Sequence, residues 1–353
     1  MNIEVISKIA AVLGFKLEEE QPHISGERFL MSKEKLVLVA KEMSDNKKVI
    51  IKVSNLIDGK RDINNEKRAR DLLKSVNFAR KAIIFPDEIF FGEKSGYLLW
   101  IMEFIEQDNI FVEYNIQDQF FLALNAFEAQ ESFHATTYEH LEAINKVFPI
   151  LHAQEYFKEF KGFKTNITNK STGSDPEGLF AKAEIFLQQN KKTIDKYCNY
   201  LTHTDFVPHN FRIKNRQIYM LDCSPEYRTT HFGNKYESWA RFLNYMVIHN
   251  PQLEKILAKY IRENRGEEDY LALRLMRLYK VAFLLDFYAN SLPKTHGNLY
   301  ELTKERIDFW FEILKFILED KDMPVNFIEN YKKKRDSLRT EEEKKRQREF
   351  AIA

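Results

Sequence analysis

The sequence predicts an α+β protein of two lobes, a small antiparallel β lobe followed by a large helical one. Two β-branched runs, 35–41 (KLVLVAK) and 48–53 (KVIIKV), crowd the first hundred residues. Beyond Ile105 the apolar spacing switches to the helical period. Length agrees: 353 residues, 44% hydrophobic and 14% aromatic, allow a sizeable core and exclude general disorder.

Each element has its own warrant. Ile3, Ile6, Ile9, Ala10 and Leu13 fall on one helical face, predicting a helix over 2–16. Ser44-Asp45-Asn46 reads as the hairpin turn between the two runs. Residues 64–75 read as a helix with Ala69, Leu72 and Leu73 on one side, and 88–92 and 97–105 as strands parted by Lys94-Ser95-Gly96. Helical periods follow at 117–131, 179–190, 236–248, 252–262, 268–291 and 304–319. One short hairpin, 211–214 and 217–221 about Asn215-Arg216, interrupts them. The charge run at 332–349 reads as a solvated helix. The chain thus divides into a helical extension (1–24), an N-lobe (25–105), a helical C-lobe (106–330) and a charged tail (331–353).

The charges nearly cancel, 54 basic against 53 acidic, which argues against a protein built to coat nucleic acid. Only the basic tail residues 332–335 and 344–348 would serve such binding, with a steep salt dependence. Cys198 and Cys223 cannot form a disulfide framework, so a reduced, cytoplasmic setting is expected. The N-terminus carries Glu4 and Lys8 within its apolar stretch, unlike a signal peptide. The apolar run 97–102 is far shorter than the roughly 20 residues a membrane span needs.

The segment 201–222, LTHTDFVPHNFRIKNRQIYMLD, carries the chemistry. It places His203-x-Asp205 before Asn210, then a hairpin ending at Asp222. Phosphoryl transfer needs one carboxylate to orient a hydroxyl and take its proton, and a second carboxylate with an amide oxygen to hold Mg²⁺. Alternation along the second β-branched run puts Ile50 and Lys52 on one face.

These residues resemble the aminoglycoside phosphotransferase and choline kinase family, the small-molecule branch of the protein-kinase-like fold. The family's H-G-D-x-x-x-x-N motif stands here as His203-Thr204-Asp205 through Asn210, and its later strand-end Asp as Asp222. The resemblance implies Asp205 as catalytic base, Asn210 and Asp222 as Mg²⁺ ligands, and ATP as phosphoryl donor. Val49-Ile50-Ile51-Lys52 matches the kinase V-A-I-K strand, implying Lys52 on the α/β-phosphates and Ile50 against adenine. Glu66 is the partner expected for Lys52, with Asp62 as the fallback. Met102-Glu103-Phe104-Ile105 resembles a kinase hinge, which assigns the Glu103 carbonyl and the Ile105 amide to adenine. Phe133-His134 stands where the family often has Leu-His, and 233–240 resembles its D-L-A segment with Glu237 in place of Asp. His203 and Glu237 are assigned to structural support of the catalytic loop.

Departures from the pattern keep other readings open. Thr204 replaces the usual glycine, Cys223-Ser224 follows Asp222, and the expected phosphate loop at 31–35 (MSKEK) has no glycine. That loop favours a pseudokinase that binds a nucleotide or partner without turnover, the alternative to a small-molecule kinase. His203, Asp205 and His209 form a conceivable metal set, but one short of a fourth ligand. Cys223 reads as a small hydrophobe. The acceptor is expected to be a small hydroxyl compound; a cationic one would want an acidic or aromatic cleft, for which Glu226, Tyr227, Glu237 and Trp239 are the candidates.

Overall fold

The computed structural model describes residues 1–21, 35–107, 109–170, 176–225 and 229–345. Helix α1 (Ile3–Val12) starts at Asn2, whose side chain accepts the Glu4 amide N–H at 2.9 Å. Strands β1 (Phe15–Leu17), β2 (Leu36–Glu42) and β3 (Lys48–Ser54) follow, with Asn46 at φ 60° in the turn where a left-handed residue is needed. After α2 (Ile57–Ser75) and the short β4 (Ile83–Ile84) come β5 (Glu88–Lys94) and β6 (Tyr97–Glu103). The sheet order is β1-β2-β3-β6-β5, antiparallel throughout.

The two faces of this sheet carry different covers. Leu36, Leu38, Ala40, Val49, Ile51 and Val53 pack under Ile6, Ile9 and Ala10 of α1. Trp100, Met102 and Ile50 lie on the opposite side with Ile63 of α2. Helix α2 begins at Ile57, seven residues before the start the apolar period gives. Its buried face is Gly59, Asp62, Ile63, Glu66, Ala69, Arg70 and Leu73, three of the seven charged, so no apolar stripe announces its first turns.

The helical lobe comprises α3 (Ile116–Glu131), α4 (Tyr138–Asn145), α5 (Ala153–Lys170), α6 (Pro176–Gln189) and α7 (Lys191–Lys196), then β7 (Tyr200–His203), β8 (Phe211–Lys214), β9 (Gln217–Met220) and β10 (Thr230–Gly233). The helices α8 (Tyr236–His249), α9 (Pro251–Tyr260), α10 (Glu267–Ser291), α11 (Asn298–Leu318) and α12 (Val325–Ser337) complete it. The central member is α10, packed against α5, α8 and α11. Strand β7 pairs antiparallel with β10, and the β8–β9 hairpin turns at Asn215 and Arg216 with both φ positive, 51° and 62°. In the core Phe127 stacks on Trp239 at 3.6 Å between centroids.

Helices α4, α5 and α7 and strands β1, β4, β7 and β10 go unread in the sequence, and β1 takes the end of the segment 2–16 read as a helix, because Gly14 at φ 90° turns the chain after α1. On α12, Tyr331 is buried and stacks on Phe309 at 3.9 Å, and Arg335 is half-buried, while Lys333 and Lys334 are exposed. The basic run is therefore one-sided where it is helical. Among the described residues no helix is long and apolar enough to cross a membrane.

Candidate active site

Lys52 is brought to the α2 face by alternation along β3 and is only 5% exposed. Its Nζ lies 2.6 Å from each carboxylate oxygen of the fully buried Glu66. One helical turn further, Arg70 donates through Nη2 to Glu66 Oε1 and to the Leu221 carbonyl, both at 2.7 Å. Lys52 Nζ donates to the same carbonyl at 3.2 Å. Two cations of the small lobe thus grip the residue preceding Asp222. Burial alone would raise the Glu66 pKa, but Lys52 and Arg70 outweigh it and hold the carboxyl below its ordinary value. Removing one member of such a buried pair costs about 3–5 kcal/mol.

A second lysine reaches the same place. Val37 pairs with Lys52 across β2 and β3, so Lys35, two residues earlier, lies on the same face. Its Nζ is 2.6 Å from Asp62 Oδ2 and 3.8 Å from Glu66 Oε2. Asp62 also accepts from the Ser224 hydroxyl, so it is no substitute partner for Lys52. Desolvation would raise the Asp222 pKa; Lys35 and Lys52 lead the charges that outweigh it and push the carboxyl well below the usual carboxylate range. Residues 31–34 of the expected phosphate loop lie outside the described residues, as do Glu226 and Tyr227.

His203 ties the two aspartates together. It is fully buried, its Nδ1 accepts the Asp205 backbone N–H at 3.1 Å, and its Nε2 lies 3.1 Å from the Asp222 carbonyl oxygen. Accepting on Nδ1 requires the proton on Nε2, which then donates to that carbonyl. Burial lowers the His203 pKa and keeps the ring neutral. With both nitrogens used, His203 cannot join His209 and Asp205 around a metal. Asn210 donates through Nδ2 to the Asp205 carbonyl at 2.7 Å and to Asp205 Oδ2 at 3.0 Å. The other carboxylate oxygen, Oδ1, takes Arg241 Nε at 2.8 Å and Nη2 at 2.6 Å.

The residues expected to meet the nucleotide sit at the junction of the lobes. Ile50 pairs with Met102, Glu103 ends β6 with its N–H on the Asp87 carbonyl at 2.9 Å, and Ile105 lies just beyond, 3% exposed.

The architecture has close counterparts among solved proteins. A thermostable mutant of the aminoglycoside phosphotransferase APH(4)-Ia, in ternary complex with ADP and hygromycin B, superposes with a TM-score of 0.60 at 12% identity, covering 91% of this chain and 99% of that one. The GDP complex of aminoglycoside 2'-phosphotransferase-IIIa gives 0.59 at 12% identity over 90% and 98% of the two chains. Macrolide 2'-phosphotransferase type I gives 0.57 at 14% identity over 86% and 96%. The fold is that of the aminoglycoside phosphotransferases. No family model and no curated protein matches the sequence.

Within this fold Lys52, Glu66 and the carbonyl before Asp222 come together, as do Asp205 and Asn210. Two expected acceptor-cleft residues do not. Glu237 and Trp239 are fully buried: Glu237 bonds His231 Nε2 and Tyr156 Oη, each at 2.9 Å, with Lys280 Nζ at 3.4 Å, and Trp239 Nε1 donates to Glu131 at 2.8 Å. The apolar face of α8 turns both inward. Cys223 is buried in the core, and His134 stacks on Tyr200 at 3.9 Å. Sequence reasoning missed Arg70, Lys35 and Arg241. Helical spacing four residues after Glu66 could have found Arg70, and strand alternation Lys35. Nothing local marks Arg241.

Proposed function

We propose that the protein is an ATP- and Mg²⁺-dependent phosphotransferase of the cytoplasm, moving the γ-phosphoryl group to an alcohol hydroxyl of a small molecule. The observation that carries this is His203 linking Asp205 to Asp222 through its two ring nitrogens. Its buried ring fixes the base relative to the metal-binding carboxylate.

Mg²⁺ suits the donor set. Asp222 is held ionised, and Asn210 spends its N–H donors on Asp205, which leaves the amide oxygen as its metal-facing end. Bound there, the ion would neutralise phosphate charge as the β–γ bridge breaks. Lys52 aligns the α/β-phosphates, held by Glu66. Ile50 meets the base, and the Glu103 carbonyl with the Ile105 amide pairs its edge. Asp205 takes the hydroxyl proton as the acceptor oxygen bonds to phosphorus and the bridging electron pair leaves on ADP.

The pseudokinase reading draws on the Arg241 pair, which occupies the base. A labelled-ATP screen of a metabolite extract separates the two. The phosphotransferase should label a small product, and Asp205→Ala should slow that labelling by about 10²–10⁴. Nucleotide binding with neither a labelled product nor ATP hydrolysis would favour the pseudokinase.

A further inference from the structure

Beyond Asp205 the charges are positive. Arg241 sits on the carboxylate and over the Tyr245 ring, 5.9 Å from its centroid. Tyr245 Oη lies 3.1 Å from His209 Nε2, and its ring stacks on His249 at 3.9 Å. Helix α12 packs against α11, where Tyr331 stacks on Phe309, and also against α8, and Arg335 follows one turn after Tyr331. Protein crowding, then the charges of His209, Arg335, Arg241 and Lys332, hold the His249 pKa down. The acids on α12 are committed locally: Asp336 takes Arg335 Nε at 2.8 Å and Glu329 takes Lys332 Nζ at 2.9 Å. Such neighbouring surface pairs are worth little.

Resting on the phosphotransferase reading of Asp205, we infer that the acceptor is an anion, a hydroxyl compound bearing a carboxylate or a phosphate, and that Arg241 and Arg335 bind its charge. A guanidinium fork matches either group, and Arg241 spends only two of its nitrogens on Asp205. The pair also explains how the base becomes available. An acceptor anion competes for the guanidinium and draws it from Oδ1, which then receives the hydroxyl proton. A cation would be repelled and would leave Arg241 on the base.

Four probes on one carbon frame test this: glycerol, glycerate, glycerol 3-phosphate and 3-amino-1,2-propanediol, titrated calorimetrically into the full chain with and without Mg-ADP. At least one of the two anions should bind about tenfold or more tighter than glycerol, a difference of one charge-assisted contact. The tighter of the two identifies carboxylate or phosphate. Arg241→Gln and Arg335→Gln should each remove that preference while Mg-ADP binding persists; the second substitution leaves Asp205 and its partners untouched. No preference for the anions, tighter binding of the amine, or anion binding that survives both substitutions would overturn the inference. Loss of Mg-ADP binding alone would instead count against the phosphotransferase reading, because the anion preference is read separately in nucleotide-free protein.

Discussion

Lys52 and Arg70 share two acceptors, Glu66 and the Leu221 carbonyl, and this sharing decides how the loss of either cation would read. In Lys52→Met, Glu66 keeps Arg70 at 2.7 Å, so the buried carboxylate is not left alone and the chain should still fold. On the proposed function the lost charge is the one aimed at phosphate, whereas the hinge would pair a base through backbone groups. Turnover should fall by roughly 10²–10³, the loss typical of one electrostatic donor, with adenosine affinity nearly unchanged. Parallel titrations with adenosine and ATP check this, and equal loss of both would assign Lys52 to folding. The residues legible in the sequence are those with fixed local spacing: His203, Asp205 and Asn210 within one loop, Lys52 at the end of a β-branched run. Arg241 reaches the Asp205 loop from 36 residues away on helix α8, a relation only tertiary packing creates.

Elements were readable where one face is apolar and the other is not. Helices α1, α3 and α8 and the β2–β3 hairpin show that contrast. The first turns of α2 do not, because two of the four residues they bury, Asp62 and Glu66, are charged. Helix α5 buries Tyr156, Phe160 and Ile167, a helical spacing diluted by Gly162 and by the Thr and Asn residues of its last turns. Helices α5, α8 and α10 and strand β10 meet at Glu237, where Tyr156, Lys280 and His231 converge. Burial would raise the Glu237 pKa, but His231 and Lys280 outweigh it and lower it from 4.5 to about 2. A folded-state pKa below the unfolded one stabilises the protein above the unfolded value and loses that stability as pH falls toward the folded one. Urea unfolding should therefore show stability declining from about pH 5 to pH 2 by a few kcal/mol. Glu237→Gln should flatten that decline. An unchanged pH slope in the variant would remove Glu237 as its source.

At the scale of the whole molecule, the lobes are linked beside Lys52 and Asp222. Strand β4, between α2 and β5 of the small lobe, pairs parallel with β9 of the large lobe, and Lys52 and Arg70 hold the carbonyl before Asp222. The two-lobed α+β architecture was legible because texture changes sharply at Ile105. The positive surroundings of Asp205 were not, because α12 folds back over α8 from nearly 100 residues downstream. On the proposed function, the small lobe and the Asp222 end of the hairpin would make one nucleotide and metal site, with Asp205 acting beside it. Asp222 and Asp205 should then fail differently. Thermal unfolding with millimolar ATP, with and without Mg²⁺, measures this most directly for the wild type, Asp222→Ala and Asp205→Ala. A Mg²⁺-dependent rise in Tm is expected for the wild type and for Asp205→Ala, and none for Asp222→Ala. No rise in the wild type, or a Mg²⁺-dependent rise that survives in Asp222→Ala, would contradict the proposed function.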